Sequence, residues 1–254
     1  METGAITQYV DVAQIVLYLF WAFFAGLIYY LLRENHREGY PMDPGRPDGP
    51  KVEGWPPVPT PATFKTLDGH VHLSPDPDRR DGDYRGTPAH GWNGAPLEPV
   101  GNPLLAGVGP GAWAARADVP DADLHGHAKI VPLRASPEHG VAAKDVDPRG
   151  LPVVGADGEV AGKVVDLWID RMEMLFRYAE LELAGSGRRV LVPMTFARIK
   201  RDGVHVQALL GAQFADVPRT KSPEQVTLLE EEKITAYYGA GTLYATPDRQ
   251  EPLL

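Results

Sequence analysis

Residues 12–32 have the sequence VAQIVLYLFWAFFAGLIYYLL, and this stretch decides the fold class of the chain. It contains 21 residues, and Gln14 carries its only strongly polar side chain. A helix rises about 1.5 Å per residue, so this one reaches roughly 32 Å and matches a hydrocarbon core of about 30 Å. The stretch therefore predicts a transmembrane helix.

The alternatives to a retained membrane helix are a cleaved signal peptide and a buried helix of a soluble protein. A signal peptide begins with basic residues, whereas residues 1–11 contain Glu2 and Asp11 and neither Lys nor Arg. Basic residues follow the stretch at Arg33 and Arg37. The positive-inside rule then predicts a single-pass protein whose N-terminus, residues 1–11, is periplasmic and whose larger C-terminal part is cytoplasmic.

The composition of the chain excludes several classes of protein. Lys and Arg number 25 against 34 Asp and Glu, so the formal net charge of -9 argues against a nucleic-acid binder. The chain has no Cys, which excludes disulfides, thiolate zinc sites, iron–sulfur ligation and a Cys nucleophile. We find no phosphate loop, dinucleotide motif or nucleophile elbow, so the sequence does not predict an enzyme.

Residues 41–110 contain 15 Pro and 11 Gly, as many of these residues together as the other 184 positions hold. Such a composition excludes long helices and leaves two interpretations, a disordered linker or an extended segment ordered by the surface of a partner. Large aromatic residues favour the second interpretation. We therefore predict that residues 33–115 form an extended segment draped on partner subunits; the aromatic residues in it are Trp55, Phe64, Tyr84, Trp92 and Trp113.

From Leu151 onward, short runs of β-forming residues alternate with turn sequences such as Ala156-Asp157-Gly158 and Gly185-Ser186-Gly187. This spacing predicts a small antiparallel barrel with a core at about 148–212, inside a cytoplasmic domain that covers residues 116–254. The predicted strands are 151–154, 160–170, 175–183, 189–193, 196–200 and 204–209.

A C-terminal helix is predicted at about 223–238. Ser222 suits its N-cap, Pro223 suits its first position, and glycines at 239 and 241 suit its end.

Two His-x-His pairs are the first candidates for chemistry: His70 with His72, and His125 with His127. In extended chain, residues i and i+2 share a face, so each pair offers two imidazoles to a proton or a metal. Asp123 adds a carboxylate to the second pair. Three interpretations of these pairs remain open: surface histidines without a role, a cluster that exchanges protons or metal ions, and a catalytic metal site. The sequence shows no obvious general base for a catalytic metal site.

A set of acidic residues accompanies the second and third predicted strands. The pattern fits a solvated face of the barrel, and it also fits a proton relay, since carboxylates with shifted pKa values can pass protons inward. These residues are Asp166, Asp170, Glu173, Glu180 and Glu182.

The sequence resembles one family over most of its length, the H subunit of the photosynthetic reaction centre of purple bacteria. Residues 37–41 directly after a single span, followed by a barrel, make the resemblance specific, whereas residues 41–100 match poorly. The matching positions are 20–21, 25–31, 37–41, Pro61, Phe64, 101–103, 107–110, 129–132, 161–170, 226–231 and 236–238.

The resemblance implies a PRC-barrel domain that caps the L and M subunits, in the inner (intracytoplasmic, or chromatophore) membrane. It implies no pigment or quinone on this chain; the partner subunits would hold bacteriochlorophyll, bacteriopheophytin, quinones and non-haem iron. The chain would stabilise the complex, shield the quinones and conduct protons to the secondary quinone. Further expected partners are membrane lipids, a light-harvesting ring and a cytochrome subunit. Nucleic acid is not expected as a partner.

The resemblance also implies roles for individual residues. Asp123, His125 and His127 match a surface point of proton uptake that zinc or cadmium can block. Glu173 matches a carboxylate near the quinone, with Asp170 and Arg177 beside it. The other pair, His70 and His72, inherits no role. The competing hypotheses are a membrane-anchored PRC-barrel adaptor that recruits a soluble partner and a membrane-tethered metalloenzyme.

Overall fold

The computed structural model contains two compact units. Residues 1–79 and 90–95 belong to the first, and residues 80–89 and 96–254 belong to the second. The structure describes residues 6, 11–42, 52–67, 69–76, 83–92 and 95–250, so most of the predicted periplasmic N-terminus lies outside it.

Helix α1 (Val12–Asn35) is the N-terminal element of the first unit. Asp11 caps it, because its Oδ1 accepts the backbone N–H of Gln14 at 2.7 Å. Within the described part of the chain, α1 is the one helix long and apolar enough to cross a membrane. None of its residues is buried, so most of its surface is open to lipid or other helices. The predicted apolar helix is confirmed, and it continues three residues beyond the predicted end.

Arg37 joins the end of α1 to a hairpin formed by strands β1 (Ala62–Lys65) and β2 (Val71–Ser74). Its Nη1 donates to the backbone oxygens of Thr60 and Ser74, both at 2.8 Å. A guanidinium can donate several hydrogen bonds in one plane, which Lys cannot do. This geometry gives a physical reason for an Arg directly after the helix.

The second unit contains a two-stranded hairpin and a seven-stranded sheet. The hairpin pairs β3 (Gly86–Pro88) with β4 (Leu97–Pro99). The sheet has the order β10-β11-β6-β7-β8-β9, and β5 also pairs with β7. Its strands are β5 (Ile130–Pro132), β6 (Pro152–Val154), β7 (Val160–Asp170), β8 (Leu175–Leu183), β9 (Arg189–Pro193), β10 (Ala197–Ile199) and β11 (Val204–Val206).

The predicted strands are present, but those predicted at 151–154, 196–200 and 204–209 are shorter in the structure, and there are two further differences. Hairpins form at both predicted turns, 156–158 and 185–187. The sheet is not purely antiparallel, however, because β11 pairs with β6 in parallel and so joins distant parts of the chain. Strand β5 has only three residues, too few to show an alternating pattern, and it was not predicted.

Helix α2 (Leu228–Tyr244) packs on the sheet, and Tyr238 from its middle is fully buried in the core. The helix begins later than predicted. Thr227 caps it in a capping box with Glu230, which satisfies two backbone donors at once. Ser222 instead accepts the backbone N–H of Glu224 in the preceding turn. The predicted start at Ser222 and Pro223 is therefore wrong.

Two glycines that were expected to end α2 lie inside it. A Cβ at Gly239 would lie 2.4 Å from the carbonyl oxygen of Pro110, and one at Gly241 would lie 2.3 Å from that of Ala208. Both glycines thus let neighbouring backbone approach the helix closely. The interpretation of these glycines as helix stops is wrong.

Candidate functional site

A hairpin loop, residues 121–129, carries the second His-x-His pair. Ala122 and Ala128 form an antiparallel bridge, and the backbone N–H of Lys129 donates to the oxygen of Asp121 at 2.8 Å. Gly126 takes a φ of +82° at the turn, a conformation that suits glycine. The loop leads directly into β5, so its base is anchored to the sheet.

Asp123 organises the tip of this loop. Its Oδ1 accepts the backbone N–H groups of His125 and His127 at 2.8 and 2.9 Å, and its Oδ2 lies 3.4 Å from Nδ1 of His127. The hydrogen bond from the His127 N–H, with that from His125, holds the pKa of Asp123 below its usual range. The structure thus brings together the predicted surface cluster of Asp123, His125 and His127, with both imidazoles exposed to solvent.

The surface cluster is not assembled as a metal centre. Its two imidazole rings are 6.3 Å apart between centroids. Over the ranges that the structure covers, no three His, Asp or Glu side chains are grouped so that they could hold a metal ion. Zinc or cadmium binding at these residues stays a prediction.

We expect Asp123→Ala to loosen the loop, because the N–H groups of His125 and His127 lose their acceptor. Hydrogen exchange at these two amides should become faster, whereas Asp123→Asn, which keeps an acceptor oxygen, should preserve most of the protection. In the unchanged protein the protection should be present above the ordinary Asp range and disappear as pH falls through the lowered pKa of Asp123. Equal exchange in the Ala and Asn variants would contradict the assignment.

A cavity of about 540 Å³, called the inner cavity below, lies at the base of the loop. Asp121 and Lys129 line it and form an ion pair, with Lys129 Nζ 2.9 Å from Asp121 Oδ2. The loop therefore has the surface cluster at its tip and this ion pair on the cavity. The two histidines of the cluster do not line the cavity.

Asp170, Glu173 and Arg177 line the same cavity at the turn between β7 and β8. Asp170 is only 4% exposed, and its Oδ1 accepts the backbone N–H groups of Met172 and Glu173. Arg177 Nη2 lies 2.8 Å from Glu173 Oε2 and 3.4 Å from Asp170 Oδ2. The structure therefore brings together these three predicted residues as well.

Glu231 and Tyr178 are cavity residues that the sequence interpretation missed. The hydroxyl of Tyr178 donates to Glu231 Oε2 at 2.8 Å. Burial raises the pKa of Glu231 above its usual range, although the Tyr178 hydroxyl and Arg177 oppose the shift. Helical spacing could have indicated the burial, because residues 234 and 238, three and seven positions later, are core residues.

The interpretation of the acidic positions as a solvated face is wrong for Asp166 and Glu180, as it is for Asp170. Arg134 Nη1 lies 2.9 Å from Asp166 Oδ2 and also donates to Glu180. Trp168 Nε1 donates to Glu180 Oε2 at 3.1 Å, and Arg189 Nη1 lies 3.2 Å from Glu180 Oε1. These two carboxylates belong to a buried ion network, and neither lines the inner cavity.

Two parts of the chain match models of known families. Residues 142–213 match the PRC-barrel domain, which agrees with the strands and turns of the second unit. Residues 4–135 match the model described as photosynthetic reaction centre, H-chain N-terminal region. The chain belongs to the photosynthetic reaction centre H-chain family.

This membership confirms the predicted family and fold class. The H chain is a non-catalytic subunit that associates with the L and M subunits of the reaction centre, and pigments and quinones on those partners fit this assignment. The single apolar N-terminal helix fits a single-pass membrane protein. The family therefore favours a reaction-centre subunit over a membrane-anchored adaptor.

Proposed function

We propose that this chain stabilises the L and M core, shields the quinone acceptors from solvent and conducts protons from the cytoplasm to the secondary quinone. The observation that carries the proposal is the hairpin loop 121–129. Its tip exposes two imidazoles beside a partly buried carboxylate, and its base places the Asp121–Lys129 ion pair on a cavity lined by further acids.

The chemistry of the groups supports inward proton transfer. Reduction of a quinone to a quinol consumes two protons, and imidazole is a side chain that can both accept and donate a proton. His125 and His127 place two imidazoles in contact with solvent. Asp123 holds their backbone in place and gives the cluster a negative charge that attracts protons. From there Asp170 and Glu173 would carry protons across the cavity, assisted by water, and Arg177, which stays charged, would hold the two carboxylates in position.

Zinc or cadmium would inhibit by competing for the same groups. A divalent cation that binds His125, His127 and Asp123 would occupy the nitrogen and oxygen atoms that otherwise take up protons. In this proposal the metal is adventitious and has no structural role.

The proposed placement follows from charge and composition. Arg33 and Arg37 favour a cytoplasmic C-terminal domain and a periplasmic N-terminus in the intracytoplasmic membrane. Residues 33–115 would lie on the partner subunits. Those partners would hold bacteriochlorophyll, bacteriopheophytin, quinones and non-haem iron, and a light-harvesting ring and a cytochrome subunit would complete the assembly.

The proposal is tested by replacing His125 and His127 with Ala in the intact complex. We expect the proton-coupled transfer of the second electron to the secondary quinone, followed after paired flashes, to slow by roughly tenfold or more, because positioned acid–base groups contribute at least that much. The pair His70→Ala and His72→Ala is the matched control and should leave the rate unchanged. Zinc should slow the unchanged complex and have little further effect on the His125/His127 variant.

Unchanged electron-transfer kinetics in the His125/His127 variant over a wide pH range would contradict proton uptake at the surface cluster. Normal assembly of that variant with L and M is expected, because both imidazoles are exposed and support no core packing.

A further inference from the structure

The acidic run Glu230-Glu231-Glu232 at the start of α2 divides into three different environments. Glu230 is a capping residue, whose carboxylate accepts the backbone N–H groups of Lys221 and Thr227. Glu232 pairs with Arg116 at 2.7 Å. Glu231 lies between them, and its hydrogen-bond donor is the neutral hydroxyl of Tyr178.

Side chains from several elements of the second unit surround Glu231 in the inner cavity. Strand β8 contributes Tyr178, which is 4% exposed, and the exposed Arg177. The other charged and polar residues that line the cavity are Arg116, Asp121, Lys129, Asp170, Glu173, Thr195, Glu232 and Thr235. Two of them, Asp121 and Asp170, add negative charge that favours a protonated Glu231, as burial does. Arg177 and the Tyr178 hydroxyl favour the charged form.

The other ionic groups of the cavity have partners of opposite charge. Lys129 is paired with Asp121, and Arg177 lies between Asp170 and Glu173. Among the cavity carboxyls that the structure describes, Glu231 is therefore the one without an ion-pair partner, and its hydrogen bond comes from a neutral hydroxyl. Such a group holds a proton more firmly than a paired carboxylate and releases it when the local field changes.

We propose that Glu231 stores a proton in the inner cavity and that Tyr178 sets the pH at which the proton is released. The storage role depends only on this cavity, whereas delivery of the proton to the secondary quinone rests on the proposed function above. When an electron arrives on the partner subunits, its negative charge favours protonation of nearby acids, and Glu231 would take up a proton at pH values where it had been ionised.

The experiment measures flash-induced proton uptake of the intact reaction-centre complex against pH with indicator dyes. Glu231→Gln should lose the part of the uptake that appears at pH values above the ordinary Glu range. Glu232→Gln is the matched control, since it is the adjacent residue and is already paired with Arg116. Its uptake curve should follow that of the unchanged complex.

Tyr178→Phe provides a second variant with a predicted sign. It keeps the ring in the core and removes the hydrogen bond that favours the ionised carboxylate, so the uptake that Glu231 provides should move to higher pH by about one pH unit or more. A purely structural role for the Tyr178–Glu231 contact would not move the curve in this direction. This variant also keeps the proposal testable if Glu231→Gln does not assemble.

The two proposals fail in different ways. Uptake curves of Glu231→Gln and Tyr178→Phe that match the unchanged complex, together with slower kinetics in the His125/His127 variant, would overturn proton storage at Glu231 and leave the uptake route standing. A lost uptake component in Glu231→Gln with normal kinetics in the His125/His127 variant would support storage and overturn the route through the surface cluster.

Discussion

Replacing Arg134 with Ala should lower the free energy of unfolding by about 3 kcal/mol, the lower end of the usual effect of removing one partner from a buried ion pair, because the Arg134 side chain is 33% exposed. The side chain of Arg134 compensates two carboxylates, Asp166 and Glu180, which are 6% and 3% exposed. It also donates to the backbone oxygen of Pro223, and so holds the segment before α2. Without it, Asp166 would lose its cationic partner, and Glu180 would keep only the exposed Arg189.

The matched control for Arg134 is Arg189→Ala. Arg189 also contacts Glu180, but its side chain is 52% exposed, so we expect a loss of about 1 kcal/mol or less. Denaturant unfolding of the full chain in detergent, followed by tryptophan fluorescence, measures both variants. Similar small losses in the two variants would show that Arg134 does not hold the network together.

Gly241→Ala should destabilise the protein by about 1–3 kcal/mol, the usual cost of overpacking. Helix propensity alone predicts the opposite sign, since Ala is about 1 kcal/mol better than Gly inside a helix. The added Cβ would lie 2.3 Å from the backbone oxygen of Ala208 and 2.6 Å from a methyl carbon of Leu209. Backbone at Ala208 cannot move aside easily, because Arg249 donates to the oxygens of both Ala208 and Gly241.

Gly140→Ala is the control for this substitution. A Cβ at Gly140 meets no atom within 4 Å. The same change in composition should therefore leave the denaturation midpoint nearly unaltered. A gain in stability at Gly241 would mean that helix propensity outweighs the close packing.

Strands β7, β8 and β9 could be predicted to the residue, because runs of β-forming residues beside turn sequences define them. The start of α2 could not, since Ser222 and Thr227 are both good caps and the reciprocal bonds of Thr227 with Glu230 decide between them. Local sequence sets the propensity to form a helix, but the choice between two possible starts of that helix depends on packing.

The candidate site was predictable where its residues are close in sequence. The spacing of Asp123, His125 and His127 indicates a cluster directly. Burial of Asp166 depends on Arg134, which lies 32 positions away, so local pattern indicated an exposed face instead. Glu231 meets Tyr178 across 53 positions, and no local motif marks that contact.

The hairpin loop has a consequence for how this chain can vary among relatives. Its functional side chains occupy alternate positions from Asp121 to Lys129, and Leu124, at an intervening position, is 97% exposed. The two arms of the loop pair at Ala122 and Ala128, so gain or loss of one residue in either arm would shift its side chains relative to those of the other arm. We therefore expect natural selection to tolerate exchanges at Leu124 and to act strongly against changes in the length of the loop.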